Sequence, residues 1–77
     1  MAINFGTLQI EVAPTVYEPA EDSFLLATYA SSVSGRILDI GTGTGITALS
    51  AAYANPRNEV IGVDINPAAI VCARSNA

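Results

Sequence analysis

Seventy-seven residues carrying seven Asp or Glu, three Arg and no His, for a formal net charge of −4, make at most one small acidic domain. The chain lacks a basic stripe to neutralise phosphates, and a single cysteine without histidine supplies neither an internal disulfide nor a conventional zinc site. Hydrophobic residues are 51% against 13% charged, so the chain is not disordered by composition, yet a domain this short buries only about 60% of its unfolded surface. Met1 precedes no basic leader and no uninterrupted apolar stretch is long enough to cross a membrane, so neither export nor insertion is expected and a reducing cytoplasm fits.

From Leu8 onward apolar and polar residues alternate, which predicts a half-buried strand over 8–12. Asn4 to Thr7 can form its turn, with Ile3 and Phe5 as the first arm of a small hairpin whose simplest role is packing. Residues 1–18 are therefore read as an N-terminal strand or hairpin extension and 19–77 as the main unit. Pro19 disfavours helix at Glu18, while Glu21 and Asp22 follow as first-turn acids, so a helix is predicted over about 20–31. Its spacing suggests an inward face of Leu25, Leu26, Tyr29 and Val33, with Phe24 and Thr28 alongside.

Arg36 to Ile40 is a short run with Ile37, Leu38 and Ile40, too short for a helix and cut off by glycine, hence a buried strand. Gly41, Gly43 and Gly45 then alternate with threonines, and a helix follows over 46–54 with Ile46, Leu49, Ala52 and Tyr53 on one face. Glycine at these points lets backbone amides approach a ligand, and the helix N-terminus adds unpaired donors. A dinucleotide fingerprint requires its third glycine at position 46, which is Ile. Asp39, two residues before the first glycine, would repel a pyrophosphate but suits a ligand carrying an ammonium and a sulfonium, as S-adenosylmethionine does.

Asn55-Pro56-Arg57-Asn58 stops the helix, and a second strand over 59–64 has Val60, Ile61 and Val63 on both faces, as expected when helices cover a parallel sheet on both sides. It ends on Asp64, 23 residues after Gly41, near the roughly 20-residue offset at which a β-α-β unit presents a carboxylate to a ribose. Asn66 with Pro67 forms the natural cap of a last helix to about Asn76, with Ile70, Ala73 and Val71 inward and Cys72 a small buried or half-buried hydrophobe. That cap leaves Asp64 free for another partner. Asp39 can either accept loop amides and fix the turn, or meet the cofactor's amino group.

Asp39-x-Gly41-x-Gly43-x-Gly45 followed by Val63-Asp64 resembles the class I S-adenosylmethionine-dependent methyltransferases, and Val16-Tyr17-Glu18-Pro19-Ala20-Glu21-Asp22 resembles the HemK-related enzymes that modify a release-factor glutamine. The resemblance implies a Rossmann-like α/β fold with a parallel sheet and flanking helices, here incomplete. It implies S-adenosylmethionine as cofactor, with Asp39, Gly41, Thr42, Gly43 and Gly45 at the methionine end and Asp64 at the ribose. Ile65 would pack on the adenine face, and Tyr17 with Glu21 or Asp22 would line the pocket, beside which the hairpin sits. The family's Asn-Pro-Pro-Tyr signature at the end of the fourth strand is absent, so catalytic residues are not expected in this chain. A protein release factor is the implied substrate of an intact enzyme, and a nucleic-acid base or small molecule is the alternative acceptor. Two rival readings are a nicotinamide-dinucleotide module, disfavoured by Ile46 and Asp39, and a non-catalytic interaction module. The first parallel strand would keep an unpaired edge, so a homo-oligomer covering that edge is expected.

Overall fold

In the computed structural model, which describes residues 1–77, the chain opens with β1 (Ala2–Phe5) and β2 (Leu8–Glu11), antiparallel and in register from Ala2 opposite Glu11 to Phe5 opposite Leu8. The connection is the two residues Gly6 and Thr7, with Gly6 at φ +59°, the positive-φ first position at which two-residue hairpin turns favour glycine. Ile10 projects from the hairpin into a cluster with Ala27 and Ile46, against which Phe5, Leu8, Phe24 and Leu49 pack. The rings of Phe5 and Phe24 stack at 5.7 Å with 12° between their planes.

That stacking orients helix α1 (Glu21–Ala30) differently from the expected inward face. Ala27 and Ala30 are buried and Phe24 is half-buried, whereas Leu25, Leu26 and Tyr29 are all more than half exposed. The reason is closeness: α1 lies directly against helix α2 (Ile46–Ala54), and alanines let the two backbones approach where leucines would hold them apart. On α2 the buried residues are Ile46, Ser50 and Ala51, Leu49 joins the core cluster, and Tyr53 stays at the rim.

Strands β3 (Arg36–Ile40) and β4 (Glu59–Val63) form a two-stranded parallel sheet in which Ile37 faces Val60, Leu38 faces Ile61, Asp39 faces Gly62 and Ile40 faces Val63. Asn58 stitches the ends of this β-α-β unit together. Its Nδ2 donates to the carbonyls of Val33 (3.2 Å) and Ala51 (3.0 Å), while its Oδ1 accepts from Gly35 N (2.9 Å). α2 covers one side of the sheet, the side of Ile37, Asp39 and Val60. The other side is open: Leu38 is 60% exposed, Ile40 78%, Ile61 63% and Val63 40%. The expected cover on both sides is thus present on one, because the helices of this chain all serve the face that α2 occupies or the hairpin beyond it.

Helix α3 (Pro67–Asn76) starts as the sequence suggests, with Asn66 Oδ1 accepting from Ala68 N at 3.0 Å and Pro67 at the first helical position. Its buried residues are Ala69 and Cys72, which pack with Val16, while Ala73 and Ile70 are half-buried and Val71 is exposed. The inward face is therefore shifted by one residue from the expected one, since α3 packs on the Val12–Val16 connection and β2 rather than on the sheet. No helix is long and apolar enough to cross a membrane.

Ile10, 1% exposed, joins the hairpin to both α1 and α2. Ile10→Ala is expected to cost about 2–5 kcal/mol, a large share of the stability of so short a domain, and a urea unfolding curve of the variant checks it.

Candidate cofactor site

The turn from β3 into α2 runs through three glycines with positive φ, at +75° for Gly41, +55° for Gly43 and +86° for Gly45. At Gly45 the demand is double, because a Cβ would also lie 3.1 Å from the Cβ of Ala73 on α3. The loop closes on the neighbouring strand, as the amides of Gly41 and Thr42 both donate to the Val63 carbonyl, at 2.8 and 2.9 Å. Thr42 then occupies the space over Gly62, where a Cβ would come within 2.6 Å of its Oγ1. Gly62 lies opposite Asp39 on the sheet, so a bare backbone there makes room for the loop above the acid.

Asp64 anchors the loop. Its Oδ2 accepts from Gly43 N and its Oδ1 from Asn66 N, both at 2.9 Å. Asp64 is therefore not free of protein partners, and the loop-amide clamp considered for Asp39 belongs to Asp64 instead. Each carboxylate oxygen accepts one of these bonds and keeps a lone pair for another donor. Asp39 makes the contrast: its Oδ2 is buried with no partner, as are the Oγ1 atoms of Thr42 and Thr44. Buried polar atoms without protein partners are few in folded proteins, and these three sit together at the end of β3 and in the loop that follows it.

These residues line one cavity of about 370 Å³, within the size range of small-molecule sites. Of the residues singled out in the sequence, Tyr17, Asp22, Asp39, Gly41, Thr42, Gly43 and Asp64 form its wall. Three do not. Glu21 lies on the adjacent surface with Phe24, Leu25 and Thr28, Gly45 is buried behind the loop, and Ile65 is fully exposed beside Asp64. Asp22 and not Glu21 is the first-turn acid that faces the cavity. Tyr17 is kept at the rim because Asn66 Nδ2 donates to the Thr15 carbonyl at 3.2 Å and Val16 is buried against α3. The hairpin packs behind the site and contributes nothing to the wall. Thr44, Ser23, Thr47 and Asn66 also line the cavity. Thr44 was within reach of sequence reasoning, sitting between two loop glycines, whereas Ser23 and Thr47 look like ordinary first-turn residues.

The wall carries Asp22, Asp39 and Asp64 and no Arg, Lys or His. Such a site attracts a cation and repels a phosphate. The amides of Asn66 and Gly43 stabilise the ionised form of Asp64 and hold its pKa below the usual 3.8, against the smaller opposing effect of burial. Because the folded value lies below the unfolded one, the stabilisation is fully present above about pH 4 and is lost as pH falls through the folded value. The urea midpoint should therefore decline on acidification below about pH 4, with the Gly43 amide resonance moving in parallel. Asp64→Asn should flatten that part of the profile.

The sequence profile of the methyltransferase small domain matches residues 20–77. The chain is 40% identical to a Methanocaldococcus jannaschii protein named, by inference, a protein N5-glutamine methyltransferase, over all of this chain and 39% of that protein. It is 38% identical to the release factor glutamine methyltransferase of Vibrio cholerae, over 96% of this chain and 27% of that one. It is 37% identical to a tRNA1(Val) (adenine(37)-N6)-methyltransferase of Porphyromonas gingivalis, over 96% of this chain and 31% of the relative. The chain thus spans between about a quarter and two-fifths of the length of these relatives.

Proposed function

The chain belongs to the methyltransferase small-domain family, and from that premise we propose that it forms the S-adenosylmethionine-binding portion of a methyltransferase that acts on a protein glutamine. One observation carries the cofactor part of the reading: three carboxylates and no cationic side chain surround the cavity. The residues present fit the family's methyl donor, which supplies, when bound, a methyl group on a positively charged sulfur. A dinucleotide would bring phosphates to the same acids.

In this reading the Asp39 carboxylate receives the donor's ammonium group, and Gly41, Thr42 and Gly43 lie against its methionine end as bare or small side chains, their amides being spent on Val63 and Asp64. Gly45 supports that loop from behind. Asp64 keeps the Gly43 amide and uses its remaining lone pairs for the ribose hydroxyls. Tyr17 packs on the ligand from the rim, Asp22 adds negative charge opposite the loop, Glu21 extends that acidic surface outward, and Ile65 lies over the adenine face. The chain's contribution to methyl transfer is then positioning, which needs no proton transfer by these residues. Support for a protein acceptor comes from the glutamine methyltransferases among the relatives and from the chain's acidity, a poor match for a phosphate backbone. A release factor is the protein partner we propose for the intact enzyme. The single cysteine is free and buried, in keeping with a reducing cytoplasm.

Calorimetric titration of the chain with S-adenosylmethionine and S-adenosylhomocysteine tests the cofactor assignment. Saturable binding is expected, weakened about tenfold or more by Asp39→Asn, which removes a charge but no hydrogen bond within the protein, and by Asp64→Ala. A folded chain that binds neither ligand yet captures a polypeptide tightly would instead be an interaction module.

We also propose that a second copy covers the unpaired edge of β3 and the adjoining apolar face. The chain exposes 5047 Å², whereas a compact monomer of 7.9 kDa exposes about 4,400 Å². Removing the excess from two copies would bury on the order of 1,300 Å², near the lower end of stable interfaces. Light scattering is expected to give a dimer that Ile61→Lys dissociates. A cooperatively folding monomer at high concentration would refute this assembly.

A further inference from the structure

The side chain of Asn76, at the last residue of α3, joins three parts of the molecule that are far apart in sequence. Its Oδ1 accepts from Glu11 N at 2.8 Å, and its Nδ2 donates to the carbonyls of Glu11 and Thr44, both at 2.9 Å, with the Sγ of Cys72 a weaker neighbour at 3.8 Å. Towards Glu11 the amide behaves as an added strand would, taking both outward-facing backbone groups of the last residue of β2. Towards Thr44 it fixes a carbonyl in the middle of the cofactor loop. Only a side-chain amide can do all of this, since one acceptor and two donors are needed in a single plane.

Thr44 is 2% exposed and lies between Gly43, whose amide Asp64 holds, and Gly45, which packs against Ala73 one turn before Asn76. The loop is therefore clamped from two sides at consecutive residues: Asp64 grips the Gly43 amide from the β4 end, and Asn76 grips the Thr44 carbonyl from α3. Fixing that carbonyl sets the plane of the Thr44-Gly45 peptide, whose amide donates to the Thr42 carbonyl at 2.8 Å and closes the turn.

We propose that Asn76 is a positioning residue for the cofactor loop, holding Thr44 and Gly45 in the ligand-ready conformation and tying that conformation to the N-terminal hairpin. The consequence for ligand affinity rests on the reading of the cavity as the S-adenosylmethionine site; the consequence for the loop does not. Asn76 does not itself line the cavity, and it reaches the wall only through the backbone carbonyl of Thr44 that it holds.

The two legs of the clamp can be cut separately in the full 77-residue chain. Asn76→Asp keeps an acceptor for Glu11 N but loses the donors to both carbonyls. Glu11→Pro removes the Glu11 amide and leaves the Thr44 leg in place. In ligand-free protein, Asn76→Asp is expected to shift the Gly43 and Gly45 amide resonances and speed their exchange, while Glu11→Pro leaves them unchanged. With S-adenosylhomocysteine as probe, Asn76→Asp should bind about fivefold more weakly, the equivalent of one neutral hydrogen bond, and Glu11→Pro within twofold of the parent chain. Unmoved loop amides in a folded Asn76→Asp, or equal shifts in both variants, would reduce Asn76 to a hairpin anchor and overturn the proposal. If the variants do not fold, the parent chain decides: both Asn76 side-chain amide protons should exchange slowly and show proximity to Thr44 and Glu11, and fast exchange would overturn it. A parent chain that does not bind the probe would count against the cofactor assignment alone, because the ligand-free amides still report on the clamp.

Discussion

The backbone between β3 and α2 adopts left-handed conformations at three alternate residues, and a stretch of that kind has little to hold its shape from within. One bond within it, from the Gly45 amide to the Thr42 carbonyl, closes the turn, and the other holders are external. The Val63 carbonyl takes two successive loop amides, the Asp64 carboxylate takes a third, and the Asn76 side chain takes the Thr44 carbonyl. All three holders lie in β4 or beyond it, so the loop that would meet a cofactor is shaped by chain that follows it by about twenty to thirty residues. In the folded chain the shape of the loop thus depends on contacts from the end of β4 and from α3.

Docking in this chain depends on small side chains more than on large ones. Ala27, Ala51 and Ala69 are almost completely buried, while several leucines, isoleucines and tyrosines stand in solvent. Alanine contacts let helices approach closely and place Ala73 against Gly45, but each alanine removes little apolar surface from water. The larger residues that could add to the core lie on the open side of the sheet and on the outer face of α1. The result is a site assembled with tight backbone geometry on a fold that still has apolar surface to cover.

Charge follows a similar division between general and local. The excess of acids over bases reduces affinity for polyanions across the whole chain. The local arrangement goes further, because three of the seven acids converge on one cavity and none of the three arginines does. Asp64 is held ionised by backbone amides, so its negative charge is a fixed part of the wall, whereas Asp39 has an oxygen that nothing in the protein satisfies. One acid grips the loop through both of its oxygens; the other keeps an oxygen without a partner in the protein.

Read from the sequence alone, the order of strands and helices, the glycine loop, the cap at Asn66 and the carboxylates near the loop were all legible, because each depends on residues close together in the chain. Glycine spacing, a proline at a helix start and alternation in a strand report local backbone preference, and those preferences survived folding. Which face of α1 and α3 turned inward did not follow from spacing, since Leu25, Leu26, Tyr29 and Val71 were apolar but the neighbouring helix and the Val12–Val16 connection admitted only small residues. The sequence placed Asp39 and Asp64 beside the loop but could not say which would grip it, nor that Asp22 faces the cavity while Glu21 turns away. It also left Asn76 indistinguishable from any polar residue at a helix end. Local chemistry by itself determined the elements and the kind of loop between them; tertiary structure decided which side chains meet, because partners such as Glu11, Thr44 and Asn76 become neighbours only when distant segments pack.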